Sequence, residues 1–134
     1  MSAPNIVNVA TINGSTAYQA LTNTNDNALI SNAASSSTVY KINNVFVSNV
    51  NGVSAATVTL SYRSAANAVT NGTLATASSG TGYRIAYQIS VPANTTLQIL
   101  DKAGAIYLPE NSSISVQAGT ASYLEVVASY ETIA

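Results

Sequence analysis

Hydrophobic and polar residues alternate one by one in three runs of the chain, at 56–63, 83–91 and 124–130. The first run, ATVTLSYR, places apolar side chains on one parity and Thr, Ser and Arg largely on the other. A period of two residues is typical of a strand with one face on a core and one in solvent. The runs therefore predict half-buried β-strands. No window combines helical spacing with helix-forming residues, so no substantial helix is predicted.

Turn-forming residues separate these runs and divide the rest of the chain into short segments. Asn-Gly pairs occur at 13–14, 51–52 and 71–72, and Pro or Gly marks most other breaks. Further strands are predicted between the breaks, at 6–12, 28–31, 39–49, 96–100, 105–108 and 113–117. Short strands at this close spacing predict an all-β fold, an antiparallel β-sandwich of jelly-roll-like form with about 8–10 short strands.

The same alternation assigns the residues of the core. In the segment YKINNVFV, Ile42 and Phe46 share one parity, whereas Val45 and Val47 lie on the other. A β-bulge at Asn43-Asn44 would bring the two valines to the face of Ile42. The predicted core consists of the inward apolar residues of each strand: Ile42, Phe46, Val58, Leu60, Ile85, Tyr87, Ile89, Leu97, Ile106, Leu108, Ile114, Val116, Leu124 and Val126.

The chain is predicted to form a single domain with two parts. Residues 38–134 carry most of the strand pattern and form the β-sandwich. Residues 1–37 form an N-terminal arm and edge strands, which are packed on the sandwich or swapped with a neighbour. The segment 65–82, AANAVTNGTLATASSGTG, is the least strand-like and predicts a long surface loop, a kind of segment that often carries contacts.

Charge is scarce in this sequence. Charged residues make up 7% of the 134 residues and hydrophobic residues 47%, and the formal net charge is −1. Disordered chains combine low hydrophobicity with high net charge, so a folded protein with a neutral surface of Ser, Thr and Asn is expected. Four cations do not build a phosphate-binding patch, which argues against nucleic-acid binding. A net charge near zero favours association between copies.

The sequence shows neither a membrane span nor a secretory signal. It contains no apolar run of 18 residues. Its start, MSAPNIVNVA, lacks a basic region followed by an apolar core. A soluble protein made in a cytoplasm, without a membrane partner, is expected.

The residue types of common catalytic and metal sites are missing or isolated. The chain has no His and no Cys, which removes the usual general base, the thiol nucleophile and most transition-metal ligands. Asp101 and Glu110 are candidates for a carboxylate pair, but both lie in predicted turns, where acids are common. The run NTNDN at 23–27 contains one carboxylate, Asp26, too few for a tight calcium site. We expect no enzyme activity, no catalytic residue, no metal and no cofactor.

Tyrosine is the most abundant aromatic residue, with eight copies. Tyr62, Tyr83, Tyr87 and Tyr130 fall on the inward parity and are predicted core residues with a hydroxyl at the rim. Tyr123 falls on the outward parity, where an exposed ring serves as a protein-contact anchor or a sugar-stacking platform. Protein contact, or exposure by chance, is favoured over sugar binding.

Five segments between residues 38 and 133, approximately, occur in a recognisable order: STVYKINNVFVSNVNG, ATVTLSYR, YRIAYQISVPANTTLQILDK, AIYLPENSSISVQAG and YLEVVASYETI. This order resembles small virion proteins of tailed phages, in particular those that infect cyanobacteria. The resemblance implies a capsid decoration (cement) protein, a β-sandwich that binds the outside of the major capsid protein shell as a homotrimer. Such a protein is synthesised in the host bacterial cytoplasm and ends on the outer capsid surface of the virion.

Two other functions fit the same sequence. One is another structural module of the virion, in its tail, neck or fibre, and the other is a carbohydrate-binding β-sandwich module. The N-terminal segment of this chain is predicted to pair with a sheet edge, either its own or that of a neighbour, through apolar Ile6, Val7, Val9 and Ile12. With Tyr123, these residues are the predicted partner contacts.

Overall fold

The structure, a computed structural model, describes residues 10–134 of the chain. Within that range the one helical segment is a 3₁₀ turn, Lys102–Gly104. All other regular structure is β, which confirms the predicted fold class. The nine strands are β1 (Ile12–Leu21), β2 (Asp26–Asn32), β3 (Val39–Asn49), β4 (Ala56–Arg63), β5 (Gly82–Val91), β6 (Thr96–Leu100), β7 (Ile106–Leu108), β8 (Ser112–Ala118) and β9 (Leu124–Ile133).

The strands form two antiparallel sheets that pack face to face. The five-stranded sheet has the order β1-β9-β3-β6, and β7 pairs with β3 beside β6. The four-stranded sheet has the order β2-β8-β4-β5. The first two strands, β1 and β2, therefore lie at one edge of each sheet, while residues 1–9 of the predicted arm lie outside the described residues. The predicted β-sandwich is confirmed.

The centre of the core comes from the inward residues of both sheets. Eight predicted core residues are fully buried there, and each contributes about 1.5–3 kcal/mol of hydrophobic stabilisation. Ile85, Leu97 and Ile106 are half-buried and pack against this cluster. The eight fully buried residues are Ile42, Val58, Leu60, Leu108, Ile114, Val116, Leu124 and Val126.

A bulge in β3 decides which of its residues face the core. The register of β3 against β9 shifts between Ile42 and Asn44, at the predicted position. Because of this shift, Val45 and Val47 are fully buried, as Ile42 is. The same shift turns Phe46 to the outer face, where 37% of it is exposed. The placement of Phe46 in the core was therefore wrong.

Strand β5 departs from regular alternation as well. The register of its pairing with β4 shifts twice, once on each side of Leu60. Gln88 adopts a positive φ of 48°. Tyr83 and Ile89 remain opposite the inward-facing Tyr62 and Val58 of β4, but β5 is the edge strand of its sheet, so their side chains stay open to solvent. Tyr83, Tyr87 and Ile89 are 62%, 59% and 42% exposed, so their predicted burial in the core was wrong. Tyr62 and Tyr130, on regular parts of their strands, do pack against the core.

The long β1 strand was missed by the sequence pattern. Asn13-Gly14 reads as a turn, yet both residues lie inside β1, and Gly14 pairs with Glu131 of β9. An Asn-Gly hairpin turn needs a positive φ at Gly, and Gly14 is not among the glycines with positive φ. The inward side chains that follow include small Ala17 and polar Gln19, both buried, so no apolar alternation marks this strand.

The loop 64–81 covers the edges of both first strands. Gly72 N donates to Tyr18 O of β1 at 3.1 Å. Three residues further, Ala28 N of β2 donates to Ala75 O at 2.9 Å, and Ala77 N donates to Asp26 O at 2.7 Å. The predicted surface loop is confirmed. It occupies backbone groups that would otherwise invite pairing with another chain.

The edges on the opposite side of the sandwich are interrupted instead of covered. β5 is bent by its bulges, and β6 and β7 are separated by the 3₁₀ turn with exposed Asp101 and Lys102. Bulges and charges at an edge discourage strand addition. Addition of a partner strand is therefore disfavoured at the edges of both sheets.

Candidate functional site

The candidate carboxylates hold local structure. Asp101 lies at the N-terminus of the 3₁₀ turn, and its Oδ1 accepts a hydrogen bond from Gly104 N at 2.9 Å. Glu110 lies half-buried in the turn after β7, and its Oε1 has no hydrogen-bond partner among the described residues. Within residues 10–134, no group of three acidic side chains is placed to hold a metal ion. The two acids remain turn residues in this geometry.

The run 23–27 is a loop that bonds to itself, as its composition predicts. Asn23 Oδ1 accepts hydrogen bonds from Asn25 N at 3.1 Å and from Asn27 Nδ2 at 2.9 Å. Its carboxylate belongs to Asp26, which is paired with Arg63 at 2.9 Å. Asn23 therefore holds the turn between β1 and β2, whereas Asp26 Oδ1 and Asn27 Oδ1 are buried without a hydrogen-bond partner among the described residues.

An apolar row crosses the outer face of the five-stranded sheet. Tyr18 of β1 lies opposite Val127 of β9, and Val127 lies opposite Phe46 of β3. Residues directly opposite in a ladder share a face, and all three side chains are exposed, by 51%, 46% and 37%. We call these three residues the apolar row.

Polar residues border the apolar row on both sides. Above it, Asn44 Nδ2 donates to Ser129 Oγ at 3.1 Å. Below it, Glu125 lies between Ala20 and Ser48 on the neighbouring strands. An apolar centre with a polar rim is the composition of a protein–protein contact.

A cleft of about 270 Å³ lies at the β1 end of the apolar row. Its walls come from Tyr18, Ala20, Glu125 and Val127, together with Gly72 from the tip of loop 64–81. Gly72 has a positive φ of 82°, and a Cβ there would lie 3.4 Å from the Tyr18 ring. The glycine lets the loop tip approach the ring closely, which shapes the cleft. One carboxylate, Glu125, is its only charge.

A second group of exposed apolar residues lies along β5, the edge strand of the four-stranded sheet. Tyr83, Tyr87 and Ile89 of β5 are all exposed, and Arg84 lies among them. The Arg84 guanidinium carbon lies 5.9 Å from the centre of the Tyr87 ring, within cation–π range. Its Nη1 also donates to Ser61 Oγ at 2.9 Å. We call these four residues the β5 patch.

A polar cleft of about 250 Å³ lies on the four-stranded sheet. It is lined by neutral residues, among them Thr57, Thr59, Gln88 and Gln117. Gln117 Nε2 donates to Thr24 O at 3.0 Å. Hydroxyl and amide groups without charge suit a neutral, hydrogen-bonding ligand, but no aromatic ring lines this cleft.

The predicted contact residues are placed differently from one another. Ile12 is 55% exposed at the start of β1, whereas Ile6, Val7 and Val9 lie outside the described residues. Tyr123 is half-buried and packs against the core, so it does not present a free ring for stacking on a sugar. Sequence reasoning missed the apolar row because its residues become neighbours only through the pairing of β1, β9 and β3.

Lys41 and Glu131 are the charged residues that face each other on the five-stranded sheet. Lys41 lies opposite Glu131 in the β3–β9 ladder, and Asn43 Nδ2 donates to Glu131 Oε1 at 3.2 Å. Burial, and after it the nearby Tyr130, raise the pKa of the Tyr40 phenol above its ordinary value.

No helix in the described part of the chain is long and apolar enough to cross a membrane.

Comparison of the chain with protein-family models, with curated proteins and with solved structures found no match.

Proposed function

We propose that this protein is a structural protein of a tailed-phage virion, a decoration protein that binds the outside of the major capsid protein shell and stabilises it. The observation that favours an assembly role is the presence of two separate exposed apolar patches, the apolar row and the β5 patch, on different sheets. A binding module needs one contact surface, whereas a subunit of a shell meets neighbours on more than one side. The capsid as the partner and the homotrimer as the oligomeric state are taken from the sequence resemblance to small virion proteins of tailed phages.

The surface around these patches suits permanent contact. It is made largely of Ser, Thr, Asn and Ala, which lose less on desolvation than Lys or Glu. With a formal net charge of −1, close approach of copies carries little electrostatic penalty. A protein that binds the assembled shell and not its separate subunits raises the stability of the shell by mass action.

The direct test is an electron-microscopy map of the native particle together with the copy number of this protein. The proposal expects density on the outer capsid surface and a copy number in fixed proportion to the shell subunits. Density confined to the tail, neck or fibre would favour the other virion role and contradict decoration.

A matched pair of variants tests the apolar row in this function. Val127→Ser removes the centre of the row, and Val53→Ser changes a valine that is 89% exposed outside it. The variants are added to particles that have been stripped of this protein. With Val53→Ser, the particles are expected to retain their DNA up to the temperature at which wild-type particles release it. With Val127→Ser, they are expected to release it at a lower temperature. Equal release temperatures would contradict a role for the apolar row on the shell.

Carbohydrate binding is the second candidate, and the polar cleft favours it. Gln88 lines this cleft from a strained backbone position, with φ of 48° and its N–H bonded to Thr59 Oγ1 at 3.1 Å. Strained residues of this kind are frequent at binding sites. Glycan-array binding that is abolished by Gln88→Ala, and retained by Gln98→Ala on the other sheet, would favour this function over decoration.

A further inference from the structure

Two exposed charges lie beside the two exposed apolar patches, one at each. Among residues 10–134 the one ion pair within 4.0 Å joins Arg63 and Asp26. Glu131 lies opposite Lys41 and accepts from Asn43. Glu125 and Arg84 are exposed and have no ion pair in this part of the chain. Each of them borders an exposed apolar patch.

Glu125 gives the apolar row a negative side. The residues opposite it, Ala20 and Ser48, are small, so its carboxylate stands above them at the mouth of the 270 Å³ cleft. The cleft carries no positive charge. A carboxylate beside apolar and aromatic side chains suits a cationic side chain with an apolar surround.

Arg84 gives the β5 patch a positive charge, which complements the negative charge of Glu125 beside the apolar row. Its guanidinium is held between the Tyr87 ring and Ser61 Oγ, which limits the freedom that it would lose on binding. Arginine and tyrosine are the residues that most often dominate the energy of protein contacts. The β5 patch thus offers an ordered cation with aromatic neighbours, which is the chemistry that the cleft lacks.

We infer that the apolar row of one copy binds the β5 patch of a second copy, with Glu125 of the first opposite Arg84 of the second. This contact is head-to-tail, because the two surfaces lie on different sheets of the same molecule. A two-fold contact of the row with itself brings two Glu125 side chains close together, which is unfavourable. Head-to-tail contacts form a ring where the rotation between copies closes, as in the proposed homotrimer.

Strand addition is the alternative route to self-association, and the fold opposes it. Loop 64–81 occupies backbone groups on the edges of β1 and β2, and the bulges of β5 disturb its edge. Association through exposed side chains, without pairing of backbones, avoids these barriers. It rests on the self-association in the proposed function, but it requires no particle.

Purified full-length protein tests this contact by sedimentation velocity across a concentration series. Wild-type protein is expected to form a species larger than the 13.7 kDa monomer. Glu125→Arg and Arg84→Glu are each expected to raise the dissociation constant about tenfold or more, because each places like charges together. The double variant, with both changes, is expected to associate nearly as wild-type does. Circular dichroism checks that every variant is folded.

Lys102→Glu is the matched control, since it reverses an exposed charge outside both patches. It is expected to leave association unchanged. A monomeric wild type, single variants that associate normally, or a double variant no better than the single ones would each overturn the contact. Particle binding measured on the same variants separates the two proposals: association without particle binding contradicts decoration, and particle binding by a strictly monomeric protein contradicts the contact.

Discussion

Arg63 and Asp26 form an ion pair across the four-stranded sheet, with Nη1 and Oδ2 2.9 Å apart. The strands that carry them, β4 and β2, are not neighbours, because β8 lies between them. The same guanidinium donates to the carbonyl oxygens of Ser79 and Gly80, both at 3.0 Å. One side chain thus connects two strands to the loop that covers the edge of the sandwich.

Loss of this ion pair is expected to weaken the fold. The two side chains are only 11% and 22% exposed, so Asp26→Ala leaves a largely buried guanidinium without its carboxylate. We expect the free energy of unfolding to fall by about 1–3 kcal/mol, measured by urea denaturation. Asp26→Asn, which keeps an acceptor oxygen, is expected to lose less. An unchanged midpoint in Asp26→Ala would show that the pair contributes nothing.

Asn67 is expected to hold the loop 64–81 in place. Its Oδ1 accepts from Ser78 N and Ser79 N at 3.0 and 2.8 Å, and its Nδ2 donates to Ser113 Oγ at 3.0 Å. Only 9% of Asn67 is exposed, so Asn67→Ala leaves buried groups unpaired and costs about 2–4 kcal/mol. Limited proteolysis is expected to cut the variant within the loop.

Asn71→Ala provides the matched control for the loop. Asn71 bonds Thr16 O at 3.2 Å from an exposed position. Its removal is expected to cost less than 1 kcal/mol or so and to leave cleavage slow. Equal cleavage of the two variants would show that Asn67 is not the residue that fixes the loop.

Truncation of Leu60 is expected to lower stability, whereas truncation of Phe46 is expected mainly to weaken association. Both were predicted to be core residues. Leu60 is fully buried, and Leu60→Ala is expected to cost about 2–5 kcal/mol of stability. Phe46 lies in the apolar row on the outer face, so Phe46→Ala is expected to cost about 1 kcal/mol or less and to weaken association. Thermal unfolding and sedimentation velocity measure both effects. A larger stability loss in Phe46→Ala would contradict the outward placement.

The sequence predicts strands well where alternation is regular and apolar. Strands β3, β4 and β6 have the predicted bounds, because their inward residues are large and aliphatic. Strand β1 was missed because its inward residues include Gln19, whose burial depends on a bond from Nε2 to Thr70 O in a distant loop, at 2.8 Å.

The apolar row could not be predicted for a related reason. A bulge changes parity along one strand, and parity alone cannot say that Phe46 has exchanged its face with Val45 and Val47. Neither can it say that Tyr18 and Val127 become neighbours, because that depends on which strands pair. The contact surface is a property of the register, whereas the fold class is a property of the alternation.

Tyr40 is expected to make the fold sensitive to alkaline pH. Its ring stacks on Tyr130 with the centroids 5.2 Å apart, and burial, then Tyr130, raise the pKa of Tyr40 above 10.0. The folded chain holds this proton more tightly than the unfolded chain, so the contribution is full below pH 10.0 and is lost as pH rises through the folded pKa. Urea unfolding at rising pH is expected to show a smaller loss in Tyr40→Phe than in wild type. The exposed Tyr83→Phe is the control, and an equal loss in Tyr40→Phe and wild type would contradict this role.

Deletion of residues 2–9 separates the predicted arm from the sandwich. The first described bonds of the chain run from Ala10 N and Thr11 N to Ala134 O, at 2.7 and 3.0 Å, and the β1–β9 ladder begins at Ile12. The deletion keeps all of these contacts, so the sandwich is expected to fold with its far-ultraviolet spectrum unchanged. It removes Ile6, Val7 and Val9, which were predicted to bind a partner.

Binding of the truncated protein to stripped capsids is therefore expected to weaken, because apolar area leaves the interface. A second variant that replaces residues 2–9 by Gly and Ser keeps the length of the chain without its apolar side chains. It is expected to bind as weakly as the deletion, since the side chains and not the length carry the contact. If both variants saturate the capsids with wild-type affinity, Ile6, Val7 and Val9 have no part in binding.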